Sequence, residues 1–323
     1  VLAAVAAAAV LASSAGLPLP SALPLSPAPV LSSAALAAAP RPRPDTPSLA
    51  TPSVAAPSAL PAVLVSPREP RPGAPLRVLA AFARDPGRDA RLALRDPSGP
   101  VGPRVLRRGG GPPFWIAAEF AAAPPGPFDV VIREGRTETA LGPDRFLDVS
   151  AGWSRAAESL YAAWIEALFA DADERSSWPA LHEVTRERAR NVIHGHLGLG
   201  EDDADGPAAL SLTPDCADNP FFLRAYFAWK TGLPFGYHET SWGTLESPPR
   251  AGRFLTLGSP AASSPLPVAA MNRFLAAMKN AVHAGNGRTA LRADSADYFP
   301  LPLVRPALRP GTVFADPYGH TFV

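Results

Sequence analysis

The 323-residue sequence contains one cysteine, Cys216, and only two lysines, Lys230 and Lys279. In an oxidising compartment an odd cysteine either forms an intermolecular bridge or stays free and reactive. The 30 basic and 29 acidic residues nearly cancel, so the charge pattern lacks the basic footprint of a nucleic-acid-binding protein. Scarce lysine beside abundant arginine, alanine and proline indicates a GC-rich, bacterial coding bias. We therefore expect no nucleic-acid partner.

The N-terminal region is apolar and then rich in proline. Residues 1–16, VLAAVAAAAVLASSAG, match the apolar core and small-residue cleavage zone of a secretory signal, and they are too short for a membrane-spanning helix. We interpret them as a partial signal peptide; the alternative is an alanine tract with no targeting role. Residues 17–62 predict an extended, semi-rigid linker. The expected location is secreted, periplasmic or cell-envelope, with the N-terminus as a membrane tether.

Residues 63–150 show the alternation of apolar and other residues that is typical of strands. The alternating stretches are Leu76 to Phe82, Phe114 to Phe120 and Phe128 to Ile132. Short strands with turn signals about every 8–12 residues predict a small β-sandwich. The stretch FAAAPPGPFDVVI resembles bacterial immunoglobulin-like domains, so we expect an immunoglobulin-like β-sandwich with a spacing or binding role.

Residues 151–200 show helical spacing of apolar residues. Leu160, Trp164 and Leu168 predict a first helix, and LHEVTRERARNVIHGHLGLG predicts a second helix that ends at its glycines. His194 and His196 lie near that predicted end, where histidines interact favourably with the helix dipole. No cysteine or acidic residue stands at ligand spacing from them, so we predict no metal site and no cofactor.

Cys216 lies in LTPDCADNPFFLRAYFAWKTGLPF, just before a predicted helix. Asp215 or Asp218 can cap this helix, and Gly232 is expected to end it. The N-terminus of a helix offers free N–H groups and a positive dipole end, which stabilise a thiolate and an oxyanion. A buried, inert cysteine is the alternative, but the polar neighbours of Cys216 favour a catalytic nucleophile.

A cysteine nucleophile needs a base, and His320 is the best candidate among the six histidines. It lies in RPGTVFADPYGHTFV, which predicts two short strands joined by a tight turn. A histidine on a strand that packs against the start of the cysteine helix is the arrangement that papain-like hydrolases need. We therefore expect the Cys216 sulfur and a ring nitrogen of His320 within or slightly beyond hydrogen-bond reach.

Both stretches resemble the cysteine and histidine motifs of NlpC-type and CHAP-type cysteine peptidases, which have a papain-like fold. The resemblance covers 212–237 and 309–323 and implies Cys216 as nucleophile and His320 as general base. It also implies a third polar residue on the strand after His320, beyond Val323, so we expect the domain at 151–323 to be C-terminally truncated. The long Cys-to-His spacing makes 239–308 an insertion with an amphipathic helix.

The resulting prediction is an α+β chain: a helical lead-in and a papain-like (NlpC-type) domain at 151–323 follow the β-sandwich. We expect an exported cysteine hydrolase that cleaves amide bonds in cell-wall peptide or another peptide. Four side chains near the expected cleft are assigned to substrate binding, and the insertion is expected to place the last of them at the site. They are Asp215, Asp218, Tyr237 and Tyr298.

Three other functions stay open. A transglutaminase-like acyl transferase also uses a cysteine at a helix start, and CADNPFFLRAYFAWKTGLPFGY is similar to that segment, but the His-Ala-Trp motif is absent. A wall-associated binding protein with a degenerate site needs no catalysis, and an exported structural protein would make Cys216 incidental. Loss of activity on thiol alkylation separates the enzymes from the rest.

Overall fold

The protein is described by a computed structural model. The predicted signal peptide and nearly all of the predicted linker lie outside the described residues. The structure describes residues 61–150, 152–173, 175–204, 206, 209–241, 243–244, 247, 249–258, 265–288, 297–305, 307–315 and 320–323.

Two four-stranded antiparallel sheets form the first part of the described chain. One has the order β1 (Ala62–Ser66), β2 (Leu76–Phe82), β6 (Phe114–Phe120) and β5 (Val105–Gly110). The other has the order β4 (Gly99–Val101), β3 (Arg91–Asp96), β7 (Asp129–Glu134) and β8 (Thr137–Leu141). Both sheets contribute to one apolar core, so they pack face to face.

The alternating residues of the sequence explain that packing. Leu76, Val78 and Ile116 belong to the core shared with the second sheet, because successive side chains of a strand point to opposite faces. Leu79 and Trp115, on the other face of the same sheet, belong to a second core formed with the helices. The predicted strands are confirmed, and in the first sheet β1, β2 and β6 are buried on both faces, whereas β5 is mostly exposed.

The first helix, α1 (Arg155–Phe169), is confirmed, and its N-cap Ser154 accepts a hydrogen bond from the Ala157 N–H at 3.2 Å. It packs on the first sheet, which it approaches at β1, β2, β5 and β6. The described residues form one compact unit. The boundary predicted between residues 150 and 151 therefore falls between two elements that share a core.

The prediction of a second long helix over 181–200 is wrong. The helix α2 (Leu181–Arg186) has only six residues, and turns follow it. The Glu201 carboxylate accepts hydrogen bonds from the Leu197 N–H at 3.0 Å and the Leu199 N–H at 2.9 Å. These backbone donors thus bond to a side chain instead of to helix carbonyls, which is how acidic side chains compete with helical structure.

The cysteine helix, α3 (Asn219–Thr231), follows Asp218, the second of the two predicted caps, but the Asp218 side chain makes no capping hydrogen bond. It ends as predicted at Gly232, whose φ of 83° is readily adopted by glycine. Nearly every residue of α3 is buried, so the helix crosses the middle of the second core.

The remaining elements lie after α3. They are β9 (Gly236–Thr240), β10 (Ala251–Thr256), α4 (Val268–Lys279), β11 (Phe314–Ala315) and β12 (Thr321–Phe322), with 3₁₀ turns at Pro143–Arg145 and Ala284–Arg288. Strands β9 and β10 pair antiparallel, as do β11 and β12. The apolar side of α4, from Val268 to Met278, is buried as its helical spacing predicts. The fold is therefore α+β, and within the described ranges no helix is long and apolar enough to cross a membrane.

A buried ion cluster joins α3 to the turns that precede it. The Lys230 ammonium is fully buried and pairs with the carboxylates of Glu201 and Asp202, the latter at 2.5 Å. Burial is the largest influence and acts to raise the pKa of Glu201, but the Lys230 charge and the hydrogen bonds from Lys230 and the Leu197 N–H together outweigh it, and the pKa is lowered. We refer to Lys230, Glu201 and Asp202 as the Lys230 cluster.

Hydrogen bonds extend the Lys230 cluster to α1. The Tyr226 hydroxyl donates to Asp202 at 2.8 Å and accepts from the Asn191 amide at 2.8 Å. Asn191 in turn accepts a hydrogen bond from the Trp164 indole at 3.0 Å. One continuous buried network thus links α1, the turns after α2 and α3, and every member has a polar partner, which burial requires.

Replacing Lys230 with Met is expected to destabilise the protein by about 3–5 kcal/mol, because the change leaves two buried carboxylates without their counter-ion. Lys279→Met is the matched control, since Lys279 is exposed and its loss is expected to change stability by less than about 0.5 kcal/mol. Urea unfolding of both variants measures the difference. Equal midpoints for the two variants would show that the Lys230 cluster is not a stabilising element.

Candidate functional site

Cys216 lies in a tight turn that leads into α3. The Asp215 carboxylate accepts hydrogen bonds from the Ala217 N–H at 2.8 Å and the Asp218 N–H at 3.0 Å. This side-chain turn is typical of aspartate. It leaves the Cys216 thiol exposed three residues before the first residue of α3, which agrees with the expected position just ahead of the helix.

His320 is brought to the cysteine from 104 residues away in the sequence. Its Nδ1 lies 3.8 Å from the Cys216 Sγ, which is slightly beyond the reach of a short hydrogen bond, as predicted. The neighbouring Thr321 hydroxyl donates a hydrogen bond to the Cys216 carbonyl. Because Thr321 is buried and starts β12, this bond holds the histidine strand against the cysteine turn.

Asp218, assigned to substrate binding, lies inside the turn and is only 1% exposed. One of its oxygens accepts from the Asp215 N–H at 3.3 Å, and the other has no hydrogen-bond partner within the described residues. Burial, and then the nearby Asp215 charge, raise the pKa of Asp218 to about 6. A direct contact with substrate stays a prediction that would require the carboxyl group to become exposed.

The two tyrosines assigned to substrate binding have different surroundings. Tyr298 packs edge-on against Phe221, in the first turn of α3, with ring centroids 5.2 Å apart. Tyr237 is fully buried against Phe274, and burial followed by the Glu239 charge raises its pKa to about 12. Tyr298 therefore lies by the cysteine helix, whereas a substrate contact by Tyr237 would require it to leave the core. Asp215, the fourth assigned residue, is exposed beside the thiol.

A second histidine–carboxylate pair was missed in the sequence. His238 on β9 lies with its Nδ1 2.7 Å from Asp297, and its backbone N–H also donates to this carboxylate at 3.0 Å. The Asn286 amide donates to Asp297 at 2.8 Å. Because 59 residues separate the histidine from the aspartate, no local pattern in the sequence reveals the pair. The one indication in the sequence is that Asp297 immediately precedes the predicted site residue Tyr298.

The other histidines show no metal-binding arrangement. His194 and His196 are buried in turns, so their interpretation as helix-end residues is wrong, because α2 ends at Arg186. Burial lowers the pKa of His196 to about 3 and also lowers that of His194. In the part of the chain that the structure describes, no three histidine, cysteine or acidic side chains come together as metal ligands.

Comparisons with known proteins return no family for this chain: no family model, no curated protein and no solved structure matches it significantly. The chemical argument therefore depends on this chain's own geometry. An exposed thiol, an imidazole within 3.8 Å and a turn that precedes a buried helix are together suited to nucleophilic catalysis.

Stability should depend on the ionisation of Asp218. Its raised pKa means that the folded state keeps the proton up to about pH 6, whereas the unfolded state loses it near pH 4. The stabilisation is therefore complete below about pH 4 and is lost as the pH rises through about 6. Asp218→Asn mimics the protonated acid, so relative to the parent it should gain about 2 kcal/mol between pH 4 and pH 7.

Urea unfolding of the parent and of Asp218→Asn at pH 4, 5, 6 and 7 measures this gain. Asp89→Asn is the control, because Asp89 is exposed and its replacement should shift stability equally at each pH. A difference between parent and Asp218→Asn that stays constant from pH 4 to pH 7 would contradict the argument.

Proposed function

We propose that this protein is a cysteine hydrolase that cleaves amide bonds in peptides, with bacterial cell-wall peptide as its substrate. Cys216 is the nucleophile and His320 the general base. The observation that carries the proposal is the 3.8 Å contact between Sγ and Nδ1, which joins two residues whose sequence motifs resemble those of NlpC-type peptidases. The hydrogen bond from Thr321 to the Cys216 carbonyl supports it, because it positions both partners.

The reaction follows from this geometry. His320 accepts the thiol proton, and the Cys216 thiolate attacks the carbonyl carbon of the scissile amide. The Asp215 carboxylate already binds the N–H groups of Ala217 and Asp218, so this proposal assigns the Cys216 N–H as the backbone donor for the oxyanion. The imidazolium then protonates the departing amine. Water, deprotonated by His320, cleaves the thioester and restores the thiol.

The fold assignment in this proposal is papain-like for the part that contains α3 and β12, with an immunoglobulin-like β-sandwich before it. Support comes from a helix that starts just after the cysteine and a strand that starts just after the histidine. The paired sheets carry no catalytic residue in this proposal and serve for spacing or for binding. The apolar sequence of 1–16 supports export to the cell envelope.

Alkylation tests the dyad directly, because Cys216 is the only cysteine. A thiolate–imidazolium pair should make Cys216 react with iodoacetamide at pH 6 at least tenfold faster than a free thiol, since a free thiol is almost fully protonated at that pH. His320→Ala should remove this advantage. His238→Ala is the matched control, because the described partner of the His238 ring is the Asp297 carboxylate, and it should leave the rate unchanged.

Turnover of a cell-wall peptide, followed by mass spectrometry, should be lost in Cys216→Ser while the unfolding midpoint is retained. If His320→Ala and the parent react equally at pH 6, no ion pair exists and the binding-protein alternative is favoured. If His238→Ala alone slows the reaction, the base is His238. If an added amine appears in the product instead of water, the protein is a transglutaminase-like acyl transferase that uses the same dyad.

A further inference from the structure

A cleft of about 490 Å³ lies where the β9–β10 hairpin meets the end of α4. The hairpin contributes Glu239, Ser241 and Arg250, and the segment after α4 contributes Asn280 and His283. Its volume is within the range of small-molecule sites. The cleft is therefore large enough for the end of a peptide or for one amino-acid side chain.

The charges of this cleft are unbalanced. Glu239 supplies the carboxylate of the cleft, and this carboxylate already pairs with Arg253 on β10 at 2.8 Å. Arg250 is exposed, and its guanidinium forms no ion pair with any residue that the structure describes. Lys279, at the end of α4, is likewise exposed, and its ammonium bonds to the Thr213 hydroxyl at 3.3 Å without a described carboxylate partner. Lys279 lies next to the lining residue Asn280, and within the lining the Arg250 guanidinium is the positive group that has no described ion-pair partner.

The wall that carries Arg250 is held by several short contacts. The Arg250 N–H donates to the Ser241 hydroxyl at 3.0 Å, and the Ser241 N–H donates to the Arg250 carbonyl at 3.2 Å. A side chain at Gly285 would come within 3.2 Å of the Pro249 ring and 3.3 Å of the Ser241 carbonyl. This close approach packs the hairpin end against the 3₁₀ turn after α4, so the backbone of Arg250 is preorganised.

The cleft also adjoins the catalytic turn. The bond between Lys279 and Thr213 connects the end of α4 to the segment that enters the turn three residues before Cys216. The residues after α4 pair with β9, since the Thr240 N–H donates to the Ala281 carbonyl at 3.1 Å. Burial lowers the pKa of His283, and the Asp215 charge partly offsets it. Thus His283 lies within electrostatic range of the residue next to the nucleophile.

We propose that this cleft binds a free carboxylate of the peptide substrate and that Arg250 is the residue that recognises it. The planar guanidinium of arginine can donate two parallel hydrogen bonds to a carboxylate. The carboxylate is either the C-terminus of the peptide or an acidic side chain, which share this chemistry. The role in substrate selection rests on the proposed hydrolase function, but carboxylate binding itself can be measured without turnover.

Binding to the Cys216→Ala protein tests the proposal. The probes are acetyl-tetra-alanine with a free carboxylate, its C-terminal amide, and an amidated peptide in which one alanine is replaced by aspartate. Isothermal titration calorimetry should show a Kd about tenfold lower for at least one acidic peptide than for the neutral amide, which is a typical effect of one charge-assisted hydrogen-bonded pair. The C-terminal and aspartate peptides distinguish the two sources of the carboxylate.

Arg250→Gln should abolish the preference for the acidic peptide and leave binding of the amide unchanged. Arg84→Gln is the control, because Arg84 is also an exposed arginine but follows β2 and does not line the cleft. Equal Kd values for acidic and neutral peptides in the parent, or a preference that persists in Arg250→Gln, would overturn the proposal. The two proposals can fail separately. If the Cys216 thiol of the parent is unreactive but carboxylate binding still depends on Arg250, the hydrolase proposal is refuted and the carboxylate-site proposal stands.

Discussion

The buried ammonium of Lys230 is the interaction on which the rest of this structure depends. Burying a charge is costly unless it is paired and hydrogen-bonded, and both carboxylates that pair with it come from the turns before α3. Any shift of α3 along its axis would separate these charges. The cluster therefore sets the position of α3, and with it the position of the turn that presents Cys216 at the start of that helix.

The turn of residues 215–218 holds the exposed side chain of the proposed nucleophile on a buried support. Only the thiol and Asp215 are exposed, whereas Ala217 and Asp218 behind them are buried. Holding a carboxyl group with a raised pKa inside this turn costs stability near neutral pH. Ionisable groups with a shifted pKa are common at functional sites, and Asp218 lies two residues from the proposed nucleophile.

The segment between α3 and β11 contains two further polar arrangements. In one, His238 has a carboxylate and an amide around it, so its position is well determined. In the other, Arg250 has a well-held backbone but no described ion-pair partner for its guanidinium. In the first arrangement the histidine and the carboxylate are each other's partners, whereas in the second the guanidinium of Arg250 is available to a ligand. This contrast is why recognition of a ligand is assigned to Arg250, and why His238 serves as the control for the base.

Local patterns in the sequence determined the strands from Leu76 to Ile132, the end of α3 at Gly232 and the buried side of α4, because each depends on neighbours within a few residues. The Cys216–His320 pair was predicted from the position of the cysteine before a helix, the strand pattern around the histidine and a motif resemblance. The turns after Arg186, the Thr321 hydrogen bond and the open charge of Arg250 were decided by tertiary structure. Each of these features depends on partners that are distant in sequence. Hydrogen bonds between side chains and backbone groups, and ion pairs between side chains, leave no periodic pattern in the sequence. Lys230 left one trace: a rare lysine on the apolar side of a helix.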